Sequence, residues 1–352
     1  MDGRRDPRLV SDAGPHHLVN GSPAKLRKVL LIALGGTISM KPDASGAMMP
    51  SLSGDDLVRA VPGIDGVAHV EAVSPMTKPG ASLTIDDILA VARLADQRLA
   101  ADVDGVVVVQ GTDTIEETAF LLDIAMHSEK PVVVTGAMRG AEATGPDGPA
   151  NILAAVTVAA SREAEGLGAL VVLNDEIHAA RFVQKSHTAL PSAFTSPLAG
   201  PLGQVIEHRA CIRVRLASCV RPALHAARGA DAPVVLVTMS LGDDGRMLGQ
   251  LAGLGYRGLV LQGMGAGHVP GILAPIVGDL VATMPVVLAT RVHSGPTFTR
   301  TYGFAGSETD LLARGVIGAG TLSALKARLL LMLLLGSGAD RAAIGEAFDS
   351  YA

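Results

Sequence analysis

Three apolar stretches in the first half of the 352-residue chain each run into small residues and a hydroxyl. Lys28–Leu34 ends in Gly35, Gly36 and Thr37; Gly105–Val109 ends in Gln110, Gly111, Thr112 and Asp113; Pro131–Val134 ends in Thr135, Gly136 and Ala137. A threonine hydroxyl is a weak nucleophile at its own pKa and needs a neighbour that accepts its proton. Glycines beside it let a ligand approach the backbone closely. Hydroxyls and a carboxylate gathered in one crevice suit acyl transfer better than phosphate binding. For any single loop, a glycine turn that merely links strand to helix explains the pattern equally well. Three such loops on one edge weaken that reading.

Two nucleotide motifs come close and stay incomplete. Gly35-Gly36-Thr37 lacks the Gly-Lys-Ser/Thr ending of a P-loop. Gly263-Met-Gly265-Ala-Gly267-His268 puts a histidine where the third glycine of a dinucleotide fingerprint belongs, so a tight glycine turn is the better reading. Thr114-Ile-Glu-Glu117 matches a capping box at a helix start, which gives Glu116 and Glu117 a structural role rather than a catalytic one.

The candidate residues must be positioned by the elements that precede them. Continuous apolar runs closed by glycine read as central parallel strands, and Ala169–Leu173, closed by Asn174-Asp175, adds a fourth. Helical stretches lie between them, over Thr84–Leu99 and Glu116–His127. Strands alternating with helices at this spacing predict a doubly wound α/β sheet, with ligands beyond the carboxyl ends of the strands. A second unit starts near Ala232, with runs over Pro233–Val237, Gly258–Leu261 and Pro285–Leu288 and helices over Leu322–Leu335 and Asp340–Phe348. The expected fold class is therefore two-domain α/β: a larger N-terminal, mostly parallel doubly wound sheet over residues 28–216, a linker over 217–231, and a smaller C-terminal α/β domain over 232–352. Residues 1–27 read as a disordered tail with no secretory h-region.

Composition excludes several classes. Hydrophobic residues make up 48% and charged residues 18%, which supplies a core and argues against disorder. A net charge of −5 with 3% aromatics lacks the basic footprint and stacking platforms of a nucleic-acid binder. Leu329–Leu335 (LLLMLLL) is too short to cross a membrane and reads as a buried helix. Cys211 and Cys219 make no disulfide framework or CxxC, and the ten histidines form no zinc motif. The cysteine usage fits a reducing compartment, so a cytoplasmic location is expected.

Leu34-Gly-Gly-Thr-Ile-Ser39 and Gln110-Gly-Thr-Asp-Thr-Ile-Glu-Glu-Thr118 resemble, in this order, the two signatures of the bacterial-type L-asparaginases. The likeness continues through Val134-Thr-Gly-Ala-Met-Arg139, Asp147-Gly-Pro149, Asn174-Asp175 and Lys185, and into the second unit at Gly255-Tyr-Arg-Gly258, Gly263–Gly267, Gly320-Thr-Leu322 and Lys326-Ala-Arg328. The resemblance implies hydrolysis of the asparagine side-chain amide to aspartate and ammonia, with no cofactor and no metal, in a homo-oligomer, usually a tetramer. It implies Thr37 as the nucleophile that forms a β-aspartyl ester. Thr112 would be the second essential hydroxyl, with Lys185 and Asp113 beside it. Asp113 would hold the substrate α-ammonium, and Ala137 would offer its backbone carbonyl to the leaving amide. A lysine withdrawn from water can give up its proton and act as base through a hydroxyl.

The sequence departs from the family in three places. The lid after the first threonine, Ser39–Ser53, has no Tyr and carries Met40, Met48 and Met49 instead; with Pro42, Gly46 and Pro50 it is expected to be mobile and to act by shielding. The serine that takes the substrate carboxylate falls in Pro79-Gly-Ala-Ser-Leu-Thr84, where either Gly80 or Ala81, or with a small shift Ser82, holds its place. Arg291–Tyr302 is shorter than the family segment that reaches a neighbouring subunit's site. Competing readings keep the scaffold: a glutaminase, a tRNA-linked amidotransferase-type deamidase, or an amino-acid-binding homologue without turnover. An amidotransferase subunit normally carries an extra N-terminal domain, for which the tail is too short.

Overall fold

The computed structural model describes residues 25–36, 38, 40–42, 48–50, 53–217 and 232–352. In chain order the first unit contains β1 (Lys28–Ala33), β2 (Met40–Pro42), β3 (Met48–Pro50), α1 (Gly54–Arg59), β4 (His69–Val73), α2 (Ile85–Ala101), β5 (Gly105–Val109), α3 (Ile115–Ala125), β6 (Val132–Thr135), α4 (Gly148–Ala159) and β7 (Ala169–Leu173). It continues with β8 (Glu176–Ala179), β9 (Gln184–Lys185), β10 (Phe194–Thr195), β11 (Gly203–Ile206) and β12 (Arg209–Ile212). The second unit holds β13 (Val234–Thr238), β14 (Gly258–Gly263), α5 (Ala274–Thr283), β15 (Val286–Thr290), α6 (Glu308–Ala313), β16 (Ile317–Gly318), α7 (Ala324–Gly336) and α8 (Arg341–Asp349).

The larger sheet has eight strands in the order β12-β11-β8-β7-β6-β5-β1-β4, and the smaller has four, β13-β14-β15-β16. Strands β4, β1, β5, β6 and β7 run parallel. β8, β11 and β12 join antiparallel, so the larger sheet is mixed. The smaller sheet is parallel throughout. The two-domain α/β class holds, with this antiparallel edge as the part that the apolar runs did not announce. The cause is local. Asn174 and Asp175 both take positive φ, 52° and 59°. They turn β7 straight back into β8, pairing Leu173 with Glu176. Short polar side chains tolerate that conformation, which two-residue hairpins require.

Period-two alternation along β1 explains why its whole run is apolar. Leu30, Ile32 and Leu34 face one core, with residues of α2, α3 and α7, while Val29, Leu31 and Ala33 face the other, with residues of α4. The first of these cores also takes in Ile344 and Phe348 of α8, so the two units share buried apolar surface. Leu329–Leu335 is buried around its full circumference, as a helix clamped between layers requires. The lid residues Met40–Pro42 and Met48–Pro50 pair as an antiparallel ribbon, with Lys41 opposite Met49. The rest of the expected lid mobility, the tail and Cys219 lie outside the described residues.

Because β4, β1, β5 and β6 are adjacent and parallel, the loops at their carboxyl ends meet on one edge. Gly36 sits at φ +93°, and a Cβ built there would lie 2.1 Å from the Gly111 nitrogen. A Cβ on Gly80 would lie 2.9 Å from the Gly111 carbonyl oxygen, and one on Gly136 2.6 Å from the Gln110 carbonyl oxygen. The four loops therefore pack backbone against backbone, which no larger residue permits. Gly36→Ala is expected to lower stability by more than about 1 kcal/mol, since both the φ and the space are wrong for a side chain. Urea unfolding checks this; unchanged stability would contradict the close approach.

Candidate active site

Thr37 lies outside the described residues, between Gly36, pressed on Gly111, and Ile38, buried at 4% exposure. Thr112 and Asp113 form a single helical turn that leads from β5 into α3. Lys185, on β9, pairs with Phe194 of β10, and the buried Val183 and Phe194 anchor this short ribbon in the core. The lysine reaches across to the β5 loop. Its Nζ donates to Thr112 Oγ1 at 2.9 Å and to Asp113 Oδ1 at 3.1 Å. Thr112 is nearly buried at 7%, whereas the Asp113 side chain is 62% exposed. The structure thus brings Thr112, Asp113 and Lys185 together, at the mouth of an open cavity of about 440 Å³ that Ser186, His187 and Thr188 also line.

The remaining expected residues divide. Ala137 is buried in the loop after β6, and Asn151 of α4 holds that loop by donating to the Gly136 carbonyl at 2.9 Å. Asp147 accepts from the Met138 and Arg139 amides on the same loop. Neither Asn151 nor Asp147 stood out as a positioning group in the sequence. Thr135 does not serve the crevice: fully buried, its hydroxyl donates to the Val172 carbonyl at 2.6 Å and ties β6 to β7. Gly80 touches Gly111, while Ser82 is exposed on the turn beyond.

The capping box at Thr114 does not form. The Thr114 hydroxyl donates instead to the Gly80 carbonyl at 3.1 Å and accepts from Gln110 Nε2 at 3.1 Å, so it ties the Gly80 loop to the β5 loop. Glu116, which a box on Thr114 would not have used, accepts the Lys185 backbone N–H at 3.3 Å. Burial raises the Glu116 carboxyl above the usual range, and the Lys326 charge partly opposes this. Glu117 is raised likewise, by burial and then by the charge of Glu116. The bare dipeptide Glu116-Glu117 was the available signal: only one of two adjacent glutamates can close a capping box.

The other motifs are structural. Met264 bridges to His268 across the positive-φ Gly265 and Gly267, the tight turn expected of that glycine cluster. His178 is a core histidine, bonded to Ser196 Oγ at 3.0 Å, and burial pushes it down to about 4. Among the described residues no group of His, Cys, Asp and Glu could hold a metal, and no helix is long and apolar enough to cross a membrane.

Residues 28–217 match the family model described as Asparaginase, N-terminal, and residues 233–348 match Glutaminase/Asparaginase C-terminal domain. This chain belongs to the asparaginase family. It is 38% identical over 331 residues to a probable L-asparaginase of Deinococcus radiodurans, covering 93% of this chain and 98% of that protein. It is 33% identical over 315 residues to an L-asparaginase of Bacillus licheniformis, covering 88% and 96%. The solved structure of a probable cytoplasmic L-asparaginase from Campylobacter jejuni superposes with a TM-score of 0.80 at 30% identity, over 92% of this chain and 99% of that one.

Within this asparaginase scaffold, the Lys185 ammonium is held on a hydroxyl and a carboxylate at once, which fixes its nitrogen in two directions. A group so placed can pass a proton to or from Thr112 with little reorganisation, since heavy atoms already lie at hydrogen-bond distance. Lys185→Met keeps the aliphatic stem and removes the nitrogen. It is expected to lower kcat by about 10²–10⁴-fold, the usual contribution of a positioned acid–base group. Steady-state ammonia release from the folded variant measures it; a kcat near wild type would remove Lys185 from the chemistry.

Proposed function

We propose that this asparaginase-family enzyme is an L-asparagine amidohydrolase that works through an acyl-enzyme on Thr37. The Thr37 oxygen adds to the side-chain carbonyl carbon of asparagine. The C–N bond then breaks, ammonia leaves carrying the proton that the Thr37 hydroxyl gave up, and water hydrolyses the β-aspartyl ester to aspartate and restores the hydroxyl. The observation that carries this reading is the 2.9 Å hydrogen bond from Lys185 Nζ to Thr112 Oγ1 beside the Asp113 carboxylate. That trio lies at the sheet edge where Gly36, the residue before Thr37, packs on Gly111, which supplies a proton carrier and an anion where an amino-acid amide would bind. No metal or cofactor is part of the proposal.

Asp113 is assigned the substrate α-ammonium, because its carboxylate is the exposed member of the trio. The α-carboxylate is assigned to the Gly80–Ser82 turn. Gly80 lies too close to the Gly111 carbonyl for a serine side chain, so the backbone of this turn, with Ser82 at its end, takes the place of the family's serine. The Ala137 carbonyl receives the leaving amide nitrogen. The Met40–Pro42 and Met48–Pro50 ribbon brings no tyrosine, and its role is to cover the site. Residues 28–216 and 232–352 are the two domains, joined by a linker at 217–231, a division that the limits of the two family matches support. The enzyme is proposed to be a homo-oligomer, a dimer or tetramer; the half-exposed Phe298, Tyr302 and Phe304 offer apolar surface for such a contact. The enzyme is proposed to be cytoplasmic. The glutaminase named in the C-terminal family description keeps glutamine as a second candidate substrate.

Thr37→Ala is expected to fold and to release no ammonia from asparagine, in an assay with glutamine run alongside. Near wild-type turnover would exclude Thr37 as the nucleophile. Asp113→Ala is expected to lower kcat/KM for asparagine by about 2 kcal/mol or more, because the bound α-ammonium, which covers this otherwise exposed carboxylate, loses its charge partner. A simple amide without the amino group should lose far less; equal losses for the two would contradict the ammonium assignment.

A further inference from the structure

The two-residue strand that delivers Lys185 has little pairing of its own, and three of its ties come from the second unit. Arg181 Nη2 donates to Thr321 Oγ1 at 3.3 Å, and Gln184 Nε2 donates to the His293 carbonyl at 3.1 Å. Between them, Lys326 Nζ of α7 donates to the Val183 carbonyl at 2.5 Å. Two residues further along, Glu116 of α3 accepts the Lys185 N–H. The backbone is therefore gripped on both sides of Gln184, by an ammonium at Val183 and by a carboxylate at Lys185.

Lys326 is out of place on energetic grounds. It is fully buried on the helix that carries the Leu329–Leu335 run. Burial drives its pKa down to about 8 against the pull of Glu116, Asp123 and Glu117, with Arg181 adding to the fall. Burying an ammonium is costly, and an apolar side chain of similar volume is often neutral or stabilising at such a position. Packing alone does not account for a lysine here, whereas its hydrogen bond to the segment that ends in Lys185 does.

We infer that Lys326 is a positioning residue for the reaction: from the second unit it fixes the Val183 carbonyl, and together with Glu116 it holds Lys185 Nζ on the Thr112 hydroxyl. The inference rests on the reading of Lys185 as the proton carrier. It assigns the C-terminal unit a part in the chemistry of its own chain, beyond completing the core.

Lys326→Met tests it, since methionine fills the space in an apolar helix and removes the donor. A loosened Lys185 is expected to lower kcat by about 10–10²-fold, the scale of a misplacement near 1 Å, with KM for asparagine within about twofold. The same substitution in a Lys185→Met background is expected to change kcat by less than about threefold, because the positioned group is gone. Lys326→Arg, which keeps a donor, is expected to recover part of the loss. If Lys326→Met does not fold, Gln184→Ala, which cuts the tie to the His293 carbonyl, is read in the same cycle. A folded Lys326→Met with wild-type kcat overturns the inference, as does an undiminished loss in the Lys185→Met background. Wild-type turnover by Lys185→Met alone would instead remove the role of Lys185 and this inference with it. An inactive Lys185→Met beside a fully active Lys326→Met would remove only the positioning role.

Discussion

The Lys185 ammonium spans a hydroxyl and a carboxylate that lie 73 and 72 residues earlier in the chain, and its two hydrogen bonds exist only while both segments are held to within a few tenths of an ångström. Neither segment is rigid by itself. The Thr112–Asp113 turn gains its position from β5, which is buried along its whole length and paired on both sides in the parallel sheet. The Lys185 strand is two residues long and borrows its position from neighbours: Phe194 across the ribbon, Glu116 on α3, and Lys326, Thr321 and His293 in the second unit. A side-chain contact of this kind is the product of the entire tertiary arrangement.

The parallel sheet edge does the second half of the work. Four loops enter it from adjacent strands and touch through glycines, Gly36 and Gly80 on Gly111, and Gly136 on Gln110. Hydrogen bonds then lock them: Thr114 to the Gly80 carbonyl, and Asn151 to the Gly136 carbonyl. Burying backbone so tightly leaves few unpaired polar groups, and each of these side chains satisfies a carbonyl that would otherwise stay unpaired. Among the described residues, the Thr112 hydroxyl, the Asp113 carboxylate and the Lys185 ammonium are thus already set against one another without substrate.

How much of this was readable follows from what each residue depends on. β1, β5, β6 and β7 are legible because central strands buried on two faces must be apolar throughout, and α7 because a helix clamped between layers must be. Thr112, Asp113 and Lys185 were placed through a family likeness; residue type alone offered only hydroxyls after glycines. That same rule misassigned Thr135, whose hydroxyl satisfies a carbonyl on the neighbouring strand rather than facing the crevice. β8 is buried but only four residues long, with Glu176 and His178 in it, and β11 and β12 are short and partly exposed; all three follow a turn set by two positive-φ residues, so they leave no apolar run. Glu116 was hidden because the helix-start pattern gave both glutamates a local reading, while its partner, the Lys185 amide, lies 69 residues further along the chain.

The central claim is that Lys185 acts on substrate through the Thr112 hydroxyl. The most direct measurement is a cycle of Thr112→Val, Lys185→Met and the double variant, read as single-turnover ammonia release from asparagine by folded protein. Removing the hydroxyl is expected to slow release by at least about 10²-fold, and removing the lysine as well is expected to add less than about threefold, since residues that act as a unit are strongly non-additive. If the two losses multiply in full, or if Thr112→Val releases ammonia at near the wild-type rate, lysine and hydroxyl do not act as one group and the account of this site is wrong.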